Sequence, residues 1–120
     1  MRRARLAGEI LGTYARAWLL LRRRPLPEAL ASLRTHGRRR QTEDPRRLGR
    51  AVSRTLRVLP TDSRCLVRSA TLAGVLAHRG LDGVVVLGVR PGDSFAAHAW
   101  VELDGIPLLP DGGFERLAEL

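Results

Sequence analysis

CLVRSATLAGVLAH, residues 65–78, followed after Arg79-Gly80 by VVVLGV, residues 84–89, is where the chain changes period. The first segment runs at helical spacing, with Leu66, Ala70, Ala73, Leu76 and Ala77 as its inward positions. Thr61-Asp62-Ser63 is a turn and cap cluster ahead of it, and Arg79-Gly80 ends it. The second segment is a short apolar strand. Pro91-Gly92-Asp93 makes a turn, and Phe95 to Leu103 is a second strand. Asp104-Gly105 is the strongest hairpin signal in the chain, and Ile106 to Leu109 returns as a third strand.

Upstream the period is helical throughout. Leu6, Ile10, Thr13, Tyr14, Ala17, Trp18 and Leu21 predict a helix over about 4–23, ended by Pro25 and Pro27. A short second helix over about 27–36 stops at Gly37. Arg38-Arg39-Arg40-Gln41-Thr42 reads as an exposed link. Asp44 caps a third helix with Pro45 in its first turn, and Leu48, Val52, Leu56 and Leu59 recur at helical spacing, every four or three residues, up to Pro60. Helices first and an antiparallel meander last give an α+β fold, with helices on one side of a small sheet. At 120 residues a single domain 1–120 is expected, with 1–43 as a helical extension and 44–120 as the core. That size excludes a two-domain enzyme or a TIM barrel.

Composition narrows the chemistry. Cys65 is the one cysteine, so no internal disulfide and no cysteine-rich zinc cage is possible, and the three histidines show no ligand spacing. Neither a metal nor another cofactor is expected. All 21 basic residues are arginine against 12 acids, a usage that suggests a bacterial genome rich in GC. Residues 1–60 carry +12 (16 Arg, 4 acids) and residues 61–120 carry −3 (5 Arg, 8 acids). Such asymmetry suits an acidic partner for the first half, or a solvated cationic surface. Few aromatics and no DNA-binding motif argue against nucleic acid. Glu9, Arg16 and Arg22-Arg23-Arg24 interrupt the apolar start, and no run reaches membrane-span length, so a cytoplasmic location is expected.

Cys65 opens a helix, where backbone N–H groups and the helix dipole favour a thiolate, and Arg64 and Arg68 add positive charge. Equally, a lone cysteine is often a small buried hydrophobe. Alternation puts Ala96, His98, Trp100 and Glu102 on one face of the second strand. His98 is flanked by alanines, which leaves space above it for a base reaching a thiol on another element. A third group must accept a hydrogen bond from the imidazole nitrogen facing away from sulfur. In a hairpin centred on Asp104-Gly105, residue 98 lies opposite 111, which favours Asp111; Asp104, at the turn, is the alternative.

The order Cys65, His98, Asp111 is that of papain-like and transglutaminase-like thiol enzymes. Arg64-Cys65-Leu66-Val67-Arg68-Ser69, the Leu81 to Val89 segment, and Phe95-Ala96-Ala97-His98-Ala99-Trp100-Val101-Glu102-Leu103-Asp104-Gly105 resemble the transglutaminase-like leader peptidases of lasso-peptide biosynthesis, over about residues 48–113. That resemblance implies a cysteine peptidase that cuts the leader from a ribosomally made precursor, whose core a separate ATP-dependent cyclase then closes. It implies Cys65 as nucleophile, His98 as base, Asp111 as orienting acid and Trp100 as a substrate contact. Pro110 departs from the family's usual spacing. Many members carry or recruit a small leader-recognition domain; here recognition is expected from a separate protein docked on the N-terminal helices. Transglutaminase or amidase acyl transfer on the same triad, and an inactive basic binding module, are the rival readings.

Overall fold

The structure is a computed structural model that describes residues 2–34, 44–57, 65–90, 96–110 and 113–120. Four helices precede four strands: α1 (Arg2–Arg23), α2 (Leu26–Leu33), α3 (Pro45–Arg57), α4 (Cys65–His78), β1 (Val84–Arg90), β2 (Ala96–Leu103), β3 (Ile106–Pro107) and β4 (Glu115–Glu119). The strands form one antiparallel sheet in the order β3-β2-β1-β4, so the molecule is α+β as its period change implies. Among the described residues, no helix is long and apolar enough to cross a membrane.

α4 is the central element. It packs against α1, α2 and α3 and also against β1 and β2. Ser69 through Ala77 are all buried, a wider face than the single inward stripe expected from the spacing. Helices cover one side and the sheet the other, which is how a helix apolar all round is accommodated. Leu72, Val75 and Leu76 are fully buried, each worth about 1.5–3 kcal/mol of transfer free energy. Gly74 permits α1 to cross closely, since a Cβ there would lie 2.9 Å from Thr13 Cγ2. Arg79 holds α1 to the end of α4 through a two-bond pair with Glu9, at 2.8 and 2.9 Å. Gly80, at φ 74°, terminates α4, and the Leu81 N–H bonds back to Leu76 O. One apolar core runs from Ile10 and Ala17 through Leu30, Leu48 and Val52 to Val85 and Val101.

Arg34, following α2, donates to the carbonyls of Gly83 and Leu120, joining the helical layer to the sheet. Burial lowers its pKa, and Asp82 partly opposes that shift.

The hairpin has the expected register. Asp104 (φ 52°) and Gly105 (φ 80°) form its two-residue turn, with Leu103 opposite Ile106 and Glu102 opposite Pro107. β3, however, stops at Pro107 instead of running to Leu109. The second helix is also shorter than expected at its C-terminal end, closing at Leu33. A fourth strand, absent from the expected meander, adds to the free edge of β1. Its sequence, ERLAE, has too little apolar content to signal a strand. It pairs with Val86 and Leu87 in one register and with Gly88 and Val89 in another, through a bulge that leaves Leu117 unpaired and 67% exposed.

Candidate active site

Cys65 is the first residue of α4, so its N–H lies among those with no partner inside the helix. Its sulfur reaches β2, where the Ala99 N–H donates to Sγ at 3.3 Å. His98, the neighbouring residue, directs Nε2 to the carbonyl oxygen of Pro110 at 2.8 Å. A carbonyl carries no proton, so the ring nitrogen is the donor and the neutral imidazole keeps its lone pair on Nδ1.

Both contacts trace to the end of β3. In a two-residue hairpin, alternate pairs exchange hydrogen bonds. Leu103–Ile106 and Val101–Leu108 fall on the bonded positions, and the Leu108 N–H donates to Val101 O at 2.8 Å. Pro107 sits on an unbonded position, where its missing N–H costs nothing. The next bonded pair would be Ala99 with Pro110. Proline has no N–H to donate to Ala99 O, so one of the two bonds of that pair is lost. The other does not form either: the Ala99 N–H donates to the Cys65 sulfur, and the Pro110 carbonyl accepts from His98.

The space above His98 is occupied, contrary to the expectation of an open strand position. Ala97 and Ala99 belong to the opposite face; on its own face His98 neighbours Trp100. The two rings stack with centroids 5.8 Å apart and planes inclined by 24°. Phe114 also approaches the imidazole, tilted by 36° with centroids 5.2 Å apart, and carries the Arg90 guanidinium 4.4 Å over its ring. These rings restrict imidazole rotation and leave its nitrogens as the available edges.

Trp100 is itself tightly held. It is 2% exposed, and its indole N–H donates to Glu102 Oε2 at 2.9 Å. Glu102, 7% exposed, is paired through Oε1 with Arg116 of β4 at 2.6 Å. Arg116 also pairs with Glu119. The hydrogen bond to Glu102 is the main cause of an upward shift of the Arg116 pKa. The indole lies across Gly88: a Cβ there would come within 2.6 Å of Trp100 Cζ3 and 2.9 Å of Glu115 O. Only glycine allows this approach without displacing the ring.

The Cys65 sulfur thus meets β2 at the backbone of Ala99, next in sequence to His98, with no hydrogen bond between thiol and imidazole, and Trp100 is set beside the imidazole, turned away from solvent. Asp111 lies outside the described residues, next in sequence to the carbonyl that holds His98. Asp104 is exposed at the hairpin tip, six residues and ~20 Å along an extended strand from His98. Pro110 O, Phe114, Glu102 and Arg116 were not singled out from sequence. In sequence Pro110 stands out by its spacing, and its place at a hydrogen-bonding position of the hairpin marks where the ladder loses a bond. Among the described residues, no group of three potential metal ligands occurs.

Comparison with known proteins matches residues 10–119 to the family model described as the transglutaminase-like superfamily. The comparisons with curated proteins and with solved structures found no match.

Proposed function

The chain belongs to the transglutaminase-like superfamily, which includes cysteine-dependent enzymes, and we propose that it is a cysteine peptidase removing the leader from a ribosomally made lasso-peptide precursor. The observation that carries the chemical part is the convergence of the Cys65 sulfur, the Ala99 N–H and a His98 imidazole oriented by Pro110 O. The lasso-peptide role rests on the cysteine box and the His-Ala-Trp-Val-Glu box.

In this reading His98 Nδ1 takes the Cys65 proton and the sulfur attacks the scissile carbonyl. The Cys65 N–H, at the start of α4, stabilises the oxyanion. His98 then protonates the leaving amine of the core peptide. It next deprotonates a water that attacks the thioester, which releases the leader acid and restores the thiol. The Nε2–H stays on its acceptor throughout, so the ring works through one nitrogen. Asp111 is proposed as a further support for that side of the ring.

We further propose that a separate leader-recognition protein docks on α1. Gly8, Leu11, Gly12, Ala15, Trp18 and Leu19 form an outward stripe at helical spacing, with Trp18 42% and Leu19 47% exposed. Arg22 lies 4.3 Å over the Trp18 ring. Leu20 and Leu21 pack instead against the core, and Arg38-Arg39-Arg40 lies outside the described residues. α1 has six arginines and one glutamate. Two copies of this face would repel each other, whereas an acidic partner would be attracted.

The test is cleavage of the precursor peptide by purified protein with its recognition partner, alongside alkylation of Cys65 by iodoacetamide. Expected results are cleavage by the parent, none by Cys65→Ala, and slower alkylation at neutral pH in His98→Ala. Cleavage by Cys65→Ala, or alkylation indifferent to His98, would overturn the mechanism.

A further inference from the structure

Resting on the peptidase reading, we infer that the cleft between α3 and the turn after β3 is a subsite for an acidic side chain of the peptide substrate. The cavity has a volume of about 310 Å³ and is lined by Gly49, Arg50, Ser53, Arg54, Leu108 and Pro110. One wall is therefore the residue whose carbonyl holds His98, so a group seated there lies close to the bond being cut. The other wall is a single face of α3. Gly49 sets their spacing: a Cβ at that position would lie 2.4 Å from Leu108 O, so only glycine lets the helix come so near the strand.

The two cations on this wall differ from the arginines that tie the fold together. Arg79 is paired with Glu9, Arg116 with Glu102 and Glu119, and Arg34 with two carbonyls. Among the described residues, Arg50 and Arg54 have no hydrogen-bond or ion-pair partner, and α3 itself contains no acid. They stand one turn apart, where like charges repel. A carboxylate between them relieves that repulsion and can accept from both guanidinium groups, with the Ser53 hydroxyl as a third donor. Aspartate and glutamate side chains have the charge, the planar acceptor and the size for this. A neutral amide lacks the charge.

The experiment uses Cys65→Ser protein, which binds without turnover, and a set of synthetic decapeptides spanning the cleavage site. Each carries one Asp at a scanned position and is compared with the Asn peptide by titration calorimetry. At one or two positions beside the scissile bond the Asp peptide is expected to bind about tenfold more tightly. Adding Arg50→Gln and Arg54→Gln together should bring the ratio close to one. Added salt should reduce it in the Cys65→Ser protein. Equal affinity for every Asp and Asn pair, or an Asp preference that survives both substitutions, overturns the subsite. Binding is read without catalysis. A preserved Asp preference in a protein whose parent form cuts no peptide would overturn the peptidase reading alone.

Discussion

The two faces of this sheet are built on different principles. The face toward α4 carries Val85, Ala99 and Val101, all apolar, and asks only for volume and shape. The outer face carries Gly88, His98, Trp100, Glu102 and Arg116, each held by a named partner. Its burial is achieved by a ring lying across a glycine and by a satisfied carboxylate. Removing one member therefore misaligns the next, and the last in that series is the imidazole. Both faces feed the core, the outer one through Val86 and Trp100; the outer face also determines how its histidine points.

That contrast breaks most sharply at the atoms proposed to react. Cys65→Ala and His98→Ala are expected to lower the proposed leader cleavage by at least about 10³-fold while leaving the thermal midpoint nearly unchanged. A large fall in the midpoint would mean that the outer face is structural after all. Next comes Glu102→Gln, which keeps an acceptor for the indole N–H but removes the charge paired with Arg116. The expected loss in kcat is about tenfold to a hundredfold with KM little changed, because a small displacement of a catalytic group is costly. The His98 ring ¹⁵N shifts should report a mixture of tautomers in place of the Nε2–H form.

On the inner side, Leu76→Ala should cost about 2–5 kcal/mol in denaturant unfolding, yet the molecules still folded should cleave at the parent rate. Gly88→Ala tests both faces together: its methyl must displace Trp100, at about 1–3 kcal/mol and with a simultaneous loss of kcat. The smallest effect belongs to Leu117→Glu, whose side chain points into water. A change within about 0.5 kcal/mol and unaltered cleavage are expected.

What could be read from sequence follows the same division. The boundaries of α4 and the hairpin register come from local rules: a period, a glycine after the last turn, and Asp104-Gly105 at two residues of positive φ. Those rules also brought Cys65 and His98 into consideration. The surroundings of His98 were beyond them, because Arg116 arrives from a strand whose five residues show no alternation, and Phe114 from the position just before it. Nor does a strand pattern disclose that a tryptophan will lie flat over a glycine two strand positions away. Pro110 is intermediate. Its effect follows from counting hydrogen-bonding positions back from the turn, but its carbonyl finds His98 only in three dimensions.

The bulge in β4 makes the segment sensitive to residue count. Without it, the register set by Val86–Glu119 and Leu87–Ala118 would bring Leu117 opposite Gly88, on the face of Trp100 and Glu102. One extra residue brings Arg116 there instead. A single deletion between Gly113 and Glu119 can therefore disable the histidine support without altering any residue that touches the imidazole, whereas many replacements at Leu117 are silent. Across homologous sequences, the spacing from the Glu102 position to its arginine should vary less than the residues inside that interval.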